Sequence, residues 1–489
     1  MRDLLKRLAR MVIGYGAVQW AGPLISLIFT PIITRVLLPS DYGVADYLLT
    51  LTSALSTLAL VALPQAITTH FNDRPEDWEW QRQVTGSGVI IALVSGLSFG
   101  LLLFSVAPVL TAKVPIIGEY TNLVRLIGLA FSFGIMSSVL VATAQAALRI
   151  RWGMVFSLLS IGFTVVGNLL FIVILRLGVT GMILTPIVTG FAVWAATILL
   201  MRGMIGRPSL NVVKMLLHSG ALLLPTMMSG WILQVSDRLI LGQFVSATAL
   251  GHYAIANRMA GLVYVAMAPI YAAWTPLALA NQHQEQAIER YVTVSRYLIT
   301  AVLLVGLGIG LFATEILIIL TRPAYLPAAP YVGFLAYMHV FSGFGTVLYT
   351  GALMGKKLGA VSITVMIGAL ANIAFNLLLI PRFGIWGATV ATIIGYGLPQ
   401  AILYGWLQRH YPIPYPMGRF LTALSIQFLL QIAGLFVPAV VFPVRLAIKL
   451  GIFAILPLSF IGLGMITRME LMQGKDFLRG QVQSRFSTI

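Results

Sequence analysis

The sequence predicts an all-α polytopic membrane protein, and three observations carry that prediction. Of its 489 residues, 59% are hydrophobic and only 9% charged, against about 25% charged in a soluble chain. Apolar runs of about 20 residues, the length that crosses a bilayer as a helix, recur from end to end. The basic residues behind the net charge of +17 stand singly or in pairs between those runs. That is how loop charge orients a membrane protein; a nucleic-acid partner would call for a clustered basic face, so none is expected. With no cysteine in the chain, disulfides and thiolate metal sites are excluded.

Taken in order, the runs predict about fourteen transmembrane helices. The first, 12–34, follows Arg2, Lys6, Arg7 and Arg10 and is too long for a cleavable signal core, so it is expected to stay. The second, 44–69, follows the turn-forming Pro39-Ser40-Asp41, and the third, 84–107, follows the polar loop His70–Gln83. The fourth (121–147), fifth (153–175) and sixth (180–201) are separated by Arg149 with Arg151 and by Arg176-Leu177-Gly178. Residues 204–220 read as a cytoplasmic linker with an interfacial helix. The seventh (221–245) and eighth (251–272) are joined by the short turn Ser246–Leu250. The ninth (294–314) stops at Glu315, expected as a solvated or capping residue, and the tenth (331–354) ends before Lys356 and Lys357. Beyond them come 359–380, 385–407, 420–441 and 445–466, with the stiff loop Pro412–Pro416 before the last two and a basic tail after them.

Orientation follows from Lys and Arg. With the N-terminus inside, 21 of the 31 basic residues fall in inside-facing segments and 8 opposite, leaving Arg238 and Arg258 within the membrane. Both termini are therefore expected in the cytoplasm. A duplication sets the domain plan. Arg176-Leu177-Gly178-Val179-Thr180-Gly181 recurs as Arg382-Phe383-Gly384-Ile385-Trp386-Gly387, an offset of 206, and Pro39–Gly43 aligns with Ala247–Gly251 at an offset of 208. An offset of six spans inserts both copies the same way. The expected units are a six-helix lobe at 1–203, the linker 204–220, a parallel six-helix lobe at 221–409, helices thirteen and fourteen at 410–468, and a cytoplasmic tail at 469–489. Transporters place substrate between such lobes.

Arg238 and Arg258 are the candidate functional residues. On two antiparallel helices joined by a short turn they lie at similar depth, roughly 10 Å below the rim. An Arg inside a bilayer costs about 2.5–3.5 kcal/mol even on the mild insertion scale. They should therefore face protein or a wet cavity, and guanidinium is the group suited to bidentate phosphate recognition. Structural pairing is the alternative. Asp237, about 100° around the helix from Arg238, is expected to orient Arg258 or Asn257. Arg35 is read as an interfacial anchor, with Asp46 as its candidate partner. Together Arg258, Arg238, Asp237, Asn257, Arg35 and Asp46 are the expected cavity set. No metal-ligand spacing, hydrolase motif or nucleotide-binding loop occurs, so no cofactor or catalytic residue is expected. Transport would be driven by a substrate gradient, by a coupling ion such as H+ or Na+, or by the membrane potential.

Three segments resemble a known family: Ile33-Thr34-Arg35-Val36-Leu37-Leu38-Pro39-Ser40-Asp41-Tyr42-Gly43; Ser236-Asp237-Arg238-Leu239-Ile240-Leu241-Gly242 with Gly251, Tyr253, Ala256 and Arg258; and Arg382–Gly387. They are similar to the bacterial polysaccharide-biosynthesis (oligosaccharide flippase, Wzx-type) family of the multidrug/oligosaccharidyl-lipid/polysaccharide exporter superfamily, across essentially residues 1–470. The resemblance implies two six-helix lobes in a V with extra C-terminal helices. It also implies transfer of an undecaprenyl-pyrophosphate-linked oligosaccharide across the cytoplasmic (inner) membrane, as in O-antigen, lipopolysaccharide or exopolysaccharide synthesis. Arg258 matches an arginine that relatives place in a cationic central cavity; where lipid II-flipping relatives carry arginines in the first helix, this chain has Gln19 and Trp20. A glycan polymerase and chain-length regulator are the partners such a role implies. A cation-coupled multidrug exporter is the first rival and a membrane glycan polymerase or ligase the second, although no large extracytoplasmic loop is predicted to hold such an active site.

Overall fold

The computed structural model describes residues 27–147, 150–283, 286–438, 441–467 and 470. Arg2, Lys6, Arg7, Arg10, Gln19, Trp20, most of the expected first span and nearly all of the tail lie outside the described residues. Among the described residues all regular structure is helical. Thirteen helical stretches are long and apolar enough to cross a membrane, and the shorter Leu27–Val36 (α1) belongs to the expected first span.

The helices that follow alternate in direction. We call the face where α2 begins the upper face. Helices α2 (Pro39–Leu60) and α3 (Leu63–Phe71) form one crossing, stepped where Val61 and Ala62 adopt left-handed backbone. Pro39 starts α2 where a fixed φ suits a first helical turn, and the Asp41 carboxylate accepts the Leu38 N–H at 3.4 Å. Asp77 caps α4 (Trp78–Lys113) by accepting the Trp80 N–H. Helix α5 (Thr121–Ala146) packs on α4 so closely that a Cβ on Gly100 would lie 2.4 Å from the Gly128 carbonyl, and one on Gly128 2.6 Å from that of Gly100. Small residues let membrane helices approach in this way. Helices α6 (Ile150–Gly167) and α7 (Gly178–Met201) complete the first half.

Helix α8 (Leu210–Phe244) is continuous over 35 residues. The stretch expected as a linker therefore runs straight into the seventh span from Leu210. Its start is held to the first half: Ser209 N–H donates to Ser87 Oγ at 3.1 Å and Gly206 N–H to the Arg82 carbonyl at 3.0 Å. Val212 and Leu216 are buried in the lower core of that half, with Leu63, Ile67, Phe71 and Val139. The upper part of α8 packs on α15 (Leu358–Phe383) and α16 (Ile385–His410).

The second half begins with α9 (Ala247–Ala260) and α10 (Leu262–Ala280), one crossing broken at Gly261. Ser246 caps α9 by accepting the Ala249 N–H at 3.2 Å, which shortens the expected 246–250 turn. Then come α11 (Ala287–Leu311), α12 (Ala313–Leu320), α13 (Ala329–Leu335) and α14 (Tyr337–Met354), followed by α15 and α16. Helices α17 (Met417–Leu435) and α18 (Phe442–Gly462) pack on α11. Here Glu315 departs from expectation. It is 8% exposed rather than solvated, with Lys449 Nζ donating to its Oε2 at 2.7 Å and Arg445 Nε 3.0 Å from Oε1.

Candidate functional site

The duplicated motif reappears as a contact. Pro39–Gly43 and Ala247–Gly251 form the first turns of α2 and α9, and the two turns press on each other. A Cβ on Gly43 would sit 2.1 Å from the Ala247 carbonyl oxygen, and one on Gly251 would sit 1.8 Å from that of Pro39. No side chain fits at either position. Around this seam Thr34 Oγ1 donates to the Leu320 carbonyl at 3.1 Å, and Tyr325 OH to that of Leu37 at 3.3 Å. The seam joins the two halves at the upper face.

Below it stand the candidate charges, and their partners differ from those expected. Asp46 on α2 pairs with Arg238 on α8, Oδ2 to Nε at 3.4 Å, not with Arg35. Arg35 is exposed at the end of α1 and takes no side-chain partner among the described residues. The reason is geometric: α1 and α2 meet at a turn that carries Arg35 outward, while Asp46, two turns into α2, faces α8. Gly242, one turn above Arg238, allows this approach; a Cβ there would lie 2.3 Å from the Tyr47 ring. Arg238 uses only Nε toward Asp46. Its two terminal nitrogens make no hydrogen bond among the described residues and, unlike Nε, are not buried.

Asp237 orients neither Arg258 nor Asn257 among the described residues. It is 3% exposed and accepts from Tyr253 OH, from Thr392 Oγ1 at 3.5 Å and from the Arg238 N–H at 2.8 Å. Since Asp237 and Arg238 diverge around α8, the acid turns toward α9 and α16 while the base turns toward α2. Beside it Ser236 donates to Asn372 Oδ1 at 2.9 Å, and Asn376 donates to the same oxygen at 3.0 Å. Arg258 donates from Nη1 to Tyr42 OH at 2.6 Å, another contact between the halves. Asn257 is buried next to it. The structure thus brings together Asp46, Arg238, Asp237 and Arg258 around α2, α8 and α9, and leaves Arg35 apart. Tyr42, Tyr253 and Thr392 complete the cluster without belonging to the expected cavity set, although Tyr42 and Tyr253 stand within the segments 33–43 and 251–258.

At the lower end of α3, His70 Nε2 is 2.7 Å from Ser219 Oγ and His70 Nδ1 2.6 Å from Asp73 Oδ2. The order of groups is that of a hydrolytic triad. Ser219, however, lies inside α8, where backbone N–H groups are committed to the helix and cannot stabilise an oxyanion. The contact fastens α3 to α8.

The pattern defining the family described as "Polysaccharide biosynthesis protein" matches residues 32–330. The chain is 41% identical over 86 residues to an uncharacterized membrane protein of Methanocaldococcus jannaschii, a stretch spanning 17% of each protein. The fold is similar to that of the lipid II flippase MurJ in an inward closed conformation, with a TM-score of 0.66 at 13% identity over 92% of this chain and 98% of that one. It is also similar to a MATE family multidrug resistance transporter of the MOP superfamily in its inward-facing conformation, with a TM-score of 0.65 at 16% identity over 79% and 93% of the two chains. An outward-facing MATE structure gives 0.52 at 16% identity, over 81% and 95%.

Proposed function

The chain belongs to the polysaccharide biosynthesis protein family, and from that premise we propose that it is a flippase for a lipid-linked oligosaccharide. The cargo is an undecaprenyl-pyrophosphate-linked repeat unit of an O-antigen or exopolysaccharide, moved from the inner to the outer leaflet of the cytoplasmic membrane. Residues 1–203 and 221–409 act as the two lobes, the upper face is extracytoplasmic, and both termini are cytoplasmic. A polymerase and chain-length regulator at the upper face would consume the product.

The observation that carries this reading is Arg238. A guanidinium held between the halves by one ion pair through Nε, its side chain 18% exposed and its terminal nitrogens making no hydrogen bond among the described residues, is the geometry that accepts two oxygens of one phosphate. Arg258 adds a second positive charge through its link to Tyr42. In the cycle we infer, cargo arrives while the seam at the upper face is shut. Pyrophosphate competes with Asp46 for Arg238 and with Tyr42 for Arg258, loosening two contacts that hold the halves together, and the upper face opens. The sugars travel between the lobes and the prenyl chain stays in lipid.

A second reading, a cation-coupled exporter, draws on Asp237, the buried carboxylate beside Arg238; the same acid could take up H+ or Na+ in a coupled flippase. Reconstitution separates the readings. Proteoliposomes carrying a fluorescent pyrophosphate-linked glycan should show leaflet transfer that falls at least about tenfold in Arg238→Ala, a loss of one charge-assisted contact. Wild-type transfer by that variant, or efflux of cationic dyes with no glycan transfer, would sink the proposal.

A further inference from the structure

The upper ends of the two C-terminal helices enclose a polar cavity that the proposed cycle does not use. Its volume is about 170 Å³, and it lies between α11, α12 and α13 on one side and α17 and α18 on the other, with Gln431, Arg445 and Lys449 in its walls. Lys449 is 4% exposed although it stands eight residues into α18, and Glu315 is 8% exposed. One carboxylate faces two fixed cations here, so the cluster carries a surplus positive charge.

A clamp between helices would need only one cation. Lys449 Nζ already supplies it, donating to Glu315 Oε2 at 2.7 Å. Arg445 reaches the same carboxylate through Nε alone, 3.0 Å from Oε1, and its terminal nitrogens make no hydrogen bond among the described residues. The third polar wall is as constrained as the first two. Gln431 is 3% exposed, with a buried Oε1 that has no partner among the described residues. Its amide is wedged between two glycines: a Cβ on Gly310 would come within 2.2 Å of Oε1, and one on Gly333 within 2.1 Å of Nε2. The two glycines leave room for an amide whose Oε1 meets no protein donor among the described residues. Buried polar groups and surplus buried charge are costly without partners.

We propose that this cavity binds a phosphate group, either from an anionic lipid headgroup in the upper leaflet or as free phosphate. The terminal nitrogens of Arg445 take two oxygens. Lys449, whose ammonium has donors to spare beyond Glu315, takes a third. Gln431 meets a hydroxyl of the headgroup or of the phosphate with its orphan Oε1. Binding there neutralises the surplus charge and fixes α17 and α18 to the second half. It is independent of what the protein carries.

The test uses the full chain in nanodiscs of phosphatidylcholine and phosphatidylglycerol in equal parts, with lipid retained after transfer to detergent read by native mass spectrometry. Wild type should retain phosphatidylglycerol over phosphatidylcholine. Lys449→Met should lower that retention about fivefold, the factor carried by one basic side chain against an anionic headgroup. Glu315→Gln raises the surplus charge and should increase retention, whereas a simple clamp predicts a decrease; this variant decides the matter if Lys449→Met does not fold. A second arm titrates inorganic phosphate into phosphatidylcholine discs. A thermal shift with phosphate that is lost in Lys449→Met, without any preference for phosphatidylglycerol, assigns the site to free phosphate. Equal retention of both lipids, unchanged in the variants and with no phosphate-dependent shift, overturns the proposal.

Discussion

Gly43 and Gly251 close the upper face reciprocally, each backing onto the carbonyl of the residue that opens the other's helix. The 208-residue offset between them is that of the sequence repeat, so one duplicated turn supplies both sides of the seam. A separation of 1.8 Å between a Cβ on Gly251 and the Pro39 carbonyl oxygen is far inside any tolerated contact. Gly251→Val should therefore hold the halves apart at this face. Because the chain has no cysteine, spin labels can be placed cleanly at Ser40→Cys and Thr248→Cys. The inter-label distance should lengthen and its distribution broaden in Gly251→Val; an unchanged distance would refute the seam.

Asp46 and Arg238 are only partly shielded, at 19% and 18% side-chain exposure, so their pairing belongs between the surface and buried limits, at about 1–3 kcal/mol. Asp46→Asn should lower thermal stability by that order and leave Arg238 open to phosphate. Exchanging the charges, Asp46→Arg with Arg238→Asp, should restore stability by thermal denaturation yet leave glycan transfer lost. Recovery of both would make the pair purely structural.

Arg258→Ala removes a charge and leaves Tyr42 OH without its donor. Transfer of pyrophosphate-linked glycan should fall at least about tenfold. Tyr42→Phe, which keeps the charge, should cost several-fold less in the same leaflet-transfer assay.

Asp237→Asn keeps the shape of the buried cluster but mispairs it, because an amide offers N–H groups where Tyr253 and Thr392 also donate. A loss of about 1–3 kcal/mol in stability is expected. If Asp237 takes up a coupling ion, the variant's transfer should also stop responding to imposed H+ or Na+ gradients. A gradient response equal to wild type removes Asp237 from the coupling.

The crossings were legible because hydropathy over about 20 residues is a strong signal, and the repeat was legible because Gly43 and Gly251 tolerate no side chain. The pairings were not. Proximity offers Arg35, eleven positions away, to Asp46, whose partner lies on α8; Asp237 is expected to orient Arg258 or Asn257, whereas Tyr253 and Thr392 donate to it. Sequence proximity says little about which helix faces which. Glu315 reads as a solvated or capping residue because its cations are more than 100 residues off. Arg445 and Lys449 stand four apart, on one face of α18, and that spacing was the available hint.

Helix α8 is one rod anchored below to α3 and α4 and above to α15 and α16. If the halves rock against each other, this rod shares the frame of both and must bend between its moorings. Pro225, the proline inside α8, lies between them and removes a backbone hydrogen bond at that level. Stiffening this point with alanine would turn a hinge into a strut, and the swing of the whole carrier would shorten with it.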